Sequence, residues 1–162
     1  MTTQPVTRFL CEASIELRAG SPVALGTSPW STRRIGDIAS GHFKGPRLNG
    51  RICPSGADWA QPGAGPDGEL MIRIDVRSLW ETDDGANIYV TYGGRLIVPA
   101  AVQADFADAK RLDTLPESRY YFRTNPLFET GSPQYAWLNA LVTVGVGRRT
   151  SGGVVYRIYE VL

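Results

Sequence analysis

The sequence predicts an all-β protein: a single antiparallel up-and-down barrel of eight to nine strands, with one short helix. Three observations carry that expectation. Apolar residues recur at every second position through several separate runs, the signature of strands with two unlike faces. The 18 glycines and 11 prolines gather largely between those runs, where turns would fall. No strand pattern alternates with a helical one, so a parallel sheet is not expected. A meander that closes on itself removes exposed sheet edges, and eight strands make a barrel just wide enough for one small ligand.

The elements follow in order. Arg8 to Arg18 alternates, with Phe9, Cys11, Ala13, Ile15 and Leu17 on one face and Leu10 as the exception. AGSPVALGTSPWSTRR, residues 19–34, is expected to be loop. Ile35 to Phe43 begins the stretch around which the chain is organised, Gly41 to Trp59, with four glycines, two prolines and the single histidine. So much punctuation between short β-like runs predicts two strands turning sharply, the second over Arg47 to Ile52. AQPGAGPDG, residues 60–68, reads as a turn.

Glu69 to Glu81 places Leu70, Ile72, Ile74, Val76 and Trp80 on one face, with Arg73, Asp75, Arg77 and Glu81 on the other. A turn at Thr82-Asp83-Asp84-Gly85 leads into Ala86 to Tyr92, which Gly93-Gly94 is expected to end. Pro99 to Leu112 reads as the one helix, covering a barrel end or edge, with Val102, Phe106 and Ala109 at helical spacing. Arg119 to Phe128 is a strand broken at Pro126. Tyr135 to Arg148 is apolar on both faces and is expected to be a central strand. Thr150 to Gly153 turns into the closing strand, Val154 to Leu162. The 162 residues suffice for one domain spanning 1–162, with no linker or repeat.

Composition narrows the function classes. Seventeen basic residues against 16 acidic ones give a net charge of +1, so no basic patch for nucleic acid or a membrane surface is expected. The pairs Arg33–Arg34 and Arg148–Arg149 read as solvated strand ends. Cys11 and Cys53 lack metal-ligand spacing and are expected to be buried and reduced, as in a cytoplasmic protein. The N-terminal stretch lacks the features of a signal peptide, and no apolar run reaches the roughly 20 residues of a membrane span. No cofactor or metal is expected, and homo-oligomerisation is left open.

Several blocks resemble a known family, the uncharacterised proteins catalogued as domain of unknown function 3237. They are Gly45-Pro46-Arg47-Leu48 with Gly50, Gly56-Ala57-Asp58-Trp59, Asp75-Val76-Arg77, Thr82-Asp83-Asp84-Gly85-Ala86 and Ile88-Tyr89. Tyr121-Phe122-Arg123, Phe128-Glu129-Thr130-Gly131 and Tyr135-Ala136-Trp137-Leu138 complete the set. One departure is Pro54-Ser55-Gly56, where the family usually reads Pro-Gly-Gly. The resemblance implies a small calycin-like β-barrel from a bacterial or fungal source. Some fungal relatives isomerise chalcones to flavanones, which implies proton-transfer chemistry on phenolic or polyketide-like compounds.

The candidate site residues come from ionisable groups and polar-tipped aromatics. His42 is the one side chain whose unperturbed pKa lies near neutrality, as a general acid or base requires; it also reads as a plain surface histidine. Asp58 would serve as a base if burial raised its pKa. Arg77 and Arg123 would stabilise an oxyanion, with Arg77 expected to be partly internal. Arg47, Trp59, Tyr89, Tyr121, Glu129 and Trp137 would bind a small aromatic or polyketide-like substrate. The alternatives are structural: Arg123–Glu129 or Arg77–Asp58 as ion pairs, Trp59 and Trp137 as core. No Ser-His-Asp order, nucleophile elbow, P-loop or dinucleotide fingerprint occurs.

Three functions stay open on these grounds. One is a cofactor-independent isomerase, cyclase or lyase working inside the barrel. Another is a carrier or sensor that binds without chemistry. The last is an assembly protein whose barrel is filled by its own side chains.

Overall fold

In the computed structural model, which describes residues 4–162, ten strands wind into one sheet. They are β1 (Thr7–Leu17), β2 (Val23–Thr27), β3 (Thr32–Lys44), β4 (Asn49–Ala64) and β5 (Leu70–Thr82). Then come β6 (Asn87–Val98), β7 (Tyr121–Thr124), β8 (Leu127–Glu129), β9 (Thr143–Arg149) and β10 (Gly153–Val161). Neighbours run β1-β10-β9-β7-β6-β5-β4-β3, and β1 pairs back onto β3, so eight antiparallel strands close the barrel. β2 extends β3 and β8 pairs with β6. The all-β antiparallel barrel follows the expectation from sequence.

Local departures have physical causes. The break in alternation at Leu10 is a bulge: the β1–β10 register shifts between Phe9 and Cys11. Leu10 and Cys11 are therefore both buried, and Phe9 turns outward. A second irregularity lies at Pro54-Ser55-Gly56, where the β4 register shifts. Gly56 has φ +111°, and a Cβ there would stand 2.0 Å from the Arg77 carbonyl oxygen. β4 then runs on to Ala64, so the expected turn at 60–68 contracts to its last few residues.

Four further expectations are corrected. Residues 19–34 are not all loop, because β2 forms a hairpin with β3. Gly93-Gly94 does not end β6, which continues to Val98. At Gly94 a Cβ would lie 2.5 Å from the Arg123 carbonyl oxygen, so the glycine marks the close approach of β7. Tyr135–Arg148 is not one long strand: Pro133–Ala140 forms a 3₁₀ helix, and β9 begins only at Thr143. Its apolarity on several sides reflects a cap, with Leu138 fully buried across the barrel end. The predicted helix over 99–112 is broken into a 3₁₀ turn, α1 (Gln103–Ala107) and α2 (Ala109–Leu112). Asp108 breaks it by going extended and accepting from the Lys110 and Arg111 backbone N–H groups.

The lumen has two halves. At the end holding the β3–β4 and β5–β6 turns, Phe43 stacks on Trp80 with centroids 4.7 Å apart, and Trp80 meets Phe128 edge to face at 5.9 Å. Leu48, Ile52, Ile88 and Leu138 complete a solid plug. Each such large apolar side chain contributes about 2–3 kcal/mol on burial. At the opposite end, where the β4–β5 and β9–β10 turns and α1 lie, the lumen stays open. Among the described residues no helix is long and apolar enough to cross a membrane.

Candidate functional site

The open half encloses a chamber of about 290 Å³. Its walls are the inward phases of the strands: Ile15 from β1, Ile38 from β3, Ile72, Ile74 and Val76 from β5, Leu96 from β6 and Val154 from β10. Phe106 of α1 adds a wall at the mouth. A third possibility raised by the sequence, a barrel filled entirely by its own side chains, therefore holds for one half only.

Five polar side chains reach this apolar chamber: Arg34, Asp58, Tyr92, Arg149 and Tyr156. Asp58 sits just beyond the β4 bulge, paired with Val76 on one side and Gly36 on the other. The β4–β5 ladder is interrupted between Asp58 and Gln61, and the Asp75 N–H donates to Asp58 Oδ1 at 3.0 Å. Burial pushes the Asp58 carboxyl up to about 6, against the pull of that N–H. The charge of Asp75 adds to the rise, and Arg149 opposes it.

Tyr92 and Tyr156 cross the lumen edge to face, centroids 5.4 Å apart. Burial pushes both phenols above their ordinary range, so they remain protonated donors. Phe122 packs edge-on against Tyr156 at 5.3 Å. Gly147 makes room for both rings, since a Cβ there would stand 2.7 Å from Phe122 and 2.9 Å from Tyr156. Arg149 ends β9 facing inward, and burial lowers its pKa. Arg34 lies exposed at the rim. Among the described residues no three carboxylate, histidine or cysteine side chains come together to hold a metal ion.

Of the residues singled out from sequence, Asp58 reaches the chamber and the other nine do not. His42 is exposed on the outside of β3, opposite Ser14 of β1. The expected internal position of Arg77 is corrected: it lies outside β5, 3.5 Å from Asp75 and over the Trp59 ring at 5.5 Å. Arg123 lies outside β7 over the Tyr121 ring, and its guanidinium donates to the Phe122 carbonyl. Neither the Arg123–Glu129 nor the Arg77–Asp58 ion pair forms. Tyr89, Tyr121 and Glu129 are exposed on outward strand phases. Trp137 caps the plugged end, with Arg47 4.2 Å above its ring. Arg47 and Arg8 both hold the buried Glu160 carboxylate, at 2.7 and 2.5 Å.

Parity explains the sorting. Arg77, Tyr89, Tyr121 and Arg123 stand one residue out of step with the inward Val76, Val90 and Phe122, and a strand sends neighbours to opposite faces. The same rule exposes what the sequence reading missed. Tyr92 shares the face of Ile88 and Val90, and Tyr156 shares that of Ile158. Arg149 was expected to be a solvated strand end and is instead inside. It is in phase with Gly145 and Gly147, glycines that gave no apolar signal.

Fold and site together define a small closed β-barrel, plugged at one end and carrying at the other an apolar chamber with a few inward polar groups. The protein belongs to the family described as protein of unknown function (DUF3237), whose model matches residues 5–161. A UPF0311 protein of Rhodopseudomonas palustris is 33% identical over 151 residues, covering 92% of this chain and 93% of its own. Another, from Clostridium acetobutylicum, is 33% identical over 156 residues, covering 91% and 90%. The crystal structure of a conserved protein of unknown function from R. palustris superposes with TM-score 0.83 at 31% identity, covering 100% of both chains. A beta-barrel like protein from Acinetobacter baumannii gives 0.78 at 36%, again over 100% of both. A structure described as an enzyme from Penicillium herquei gives 0.64 at 23%, covering 100% of this chain and 98% of that one, and so shows a shared fold.

Proposed function

We propose that the protein is a cofactor-independent isomerase, cyclase or lyase that moves a proton on a small aromatic, phenolic or polyketide-like compound held in the chamber. One observation carries the reading: a carboxyl with a pKa near neutrality, Asp58, faces an apolar cavity. A general acid–base group works best when its pKa lies near the operating pH. As the carboxylate, Asp58 takes a proton from a substrate carbon or hydroxyl. As the acid, it returns one to the product. Tyr92 and Tyr156 supply hydroxyl donors to an enolate or phenolate oxygen, in surroundings where such a bond is strong. The chamber suits a compound of one or two rings. The likeness to a Penicillium herquei enzyme adds that this fold can carry chemistry. Two unpaired, buried cysteines suit work in the cytoplasm.

The test uses ortho-hydroxychalcone and a panel of phenolic enones, with product formation followed by chromatography and mass spectrometry. Turnover should fall by at least about 100-fold in Asp58→Asn, the range a positioned proton-transfer group supplies, and persist in His42→Ala. Unchanged turnover in Asp58→Asn would refute the assignment. The mostly apolar lining favours one other reading, a carrier that releases its ligand unaltered. Saturable binding of a panel compound, recovered unchanged after long incubation, would support it.

A further inference from the structure

Arg149 is the inward cation of the chamber, and like Arg34 at the rim it makes no ion pair among the described residues. It lies inside the barrel among Phe122, Val154 and Tyr156, and its own backbone N–H donates to the Tyr120 hydroxyl at 3.0 Å. Among the described residues its guanidinium makes no ion pair, whereas Arg8, Arg47, Arg51, Arg77, Arg111 and Arg157 each have a carboxylate. Asp58 shares the chamber and influences Arg149 through space without contacting it. Arg34 adds a second positive charge at the rim. Arg149 is half-buried, and a guanidinium that has lost part of its water against apolar walls gains from an anion that neutralises it. Its planar fork of donors matches a carboxylate bidentately.

We infer that the chamber's ligand is an organic acid: an apolar ring-sized body against Ile72, Ile74 and Leu96, with one carboxylate, or an equally acidic enol or phenol, on Arg149. This rests on the chamber being the ligand site, and it requires no catalysis. Charge balance gives it a second signature. The ionisable groups facing the bound acid are Asp58 from β4, Arg34 from β3, Arg149 from β9, Tyr92 from β6 and Tyr156 from β10, with Asp75 behind Asp58. Burial brings Asp58 up to about 6 while it pushes the two phenols higher still, so the anion binds best when the Asp58 carboxyl is protonated, and binding takes up a proton there.

The probes are 2-naphthoate and its neutral isostere 2-naphthamide, titrated calorimetrically into the full chain. Naphthoate should bind at least about tenfold tighter than the amide in the wild type, the worth of one buried charge-assisted contact. Arg149→Gln should remove the preference, and Arg149→Lys, which keeps the charge should the glutamine variant fail to fold, should keep part of it. Naphthoate affinity should fall as pH rises through about 6 in the wild type and stay flat in Asp58→Asn. Equal affinities, preference for the amide, a preference that survives Arg149→Gln, or no naphthoate binding at millimolar concentration would each overturn the inference. A preference for naphthoate with no turnover of any acid would sustain it while counting against the catalytic reading.

Discussion

Replacing Asp58 by asparagine should make the protein more stable at neutral pH, although it removes the group proposed to do the chemistry. Burial raises the folded carboxyl from 3.8 to about 6, so the fold prefers the neutral form. For a raised pKa the stabilising contribution is full below the unfolded value and is lost as pH rises through the folded one. A shift of roughly two units corresponds to about 3 kcal/mol, and partial solvation from the chamber trims it to about 2 kcal/mol. Asparagine keeps an oxygen acceptor for the Asp75 N–H and does not titrate. Its fixed costs, such as placing an amide NH₂ in the chamber, do not change with pH. The quantity to measure is therefore the stability of Asp58→Asn minus that of the wild type, by urea unfolding from about pH 4 to about pH 8. It should grow by about 2–3 kcal/mol across that window, mostly between the unfolded 3.8 and the folded value of about 6 and levelling off above it, equivalent to about 4–12 °C in Tm. His42 and the other carboxyls are common to both proteins and cancel to first order. A difference that stays flat across the window would mean Asp58 is as well solvated folded as unfolded, and the proposed base would lose its physical support.

Two other perturbations test the architecture around the chamber. Gly147→Ala should cost about 1–3 kcal/mol in chemical unfolding, because the new methyl meets the Phe122 and Tyr156 rings well inside contact distance; a neutral result would show that the rings give way freely. Glu160→Gln should lower stability at neutral pH by an amount that disappears in acid. The Arg8 hydrogen bond, with Arg47 nearby, holds that carboxyl below its usual range, and the contribution of a depressed pKa is full above the unfolded value and lost as pH falls through the folded one. A gap between the two proteins that ignores pH would argue that Glu160 acts through packing alone.

The sequence by itself determined the class of fold and most strand positions. Period-two apolarity over Glu69–Glu81 and Ala86–Tyr92 is a local property that needs no partner to be read. It also brought out Asp58, a carboxylate beside a glycine-punctuated bend. It misread 135–142, because a 3₁₀ cap that buries Leu138 and half-buries Trp137 shows the same apolarity as a central strand. Only the tertiary structure decided which faces look inward and where the lumen stays empty. Alternation says that a strand has two faces, but a bulge such as that at Leu10 changes the phase, and a polar wall is tolerated wherever a chamber takes the place of packing. Asp58, Tyr92, Arg149 and Tyr156 come from four strands far apart in the chain and meet only when β1 closes on β3. A charge becomes a candidate for chemistry or recognition when such closure takes it out of water and leaves it without a partner, and no local pattern records that event.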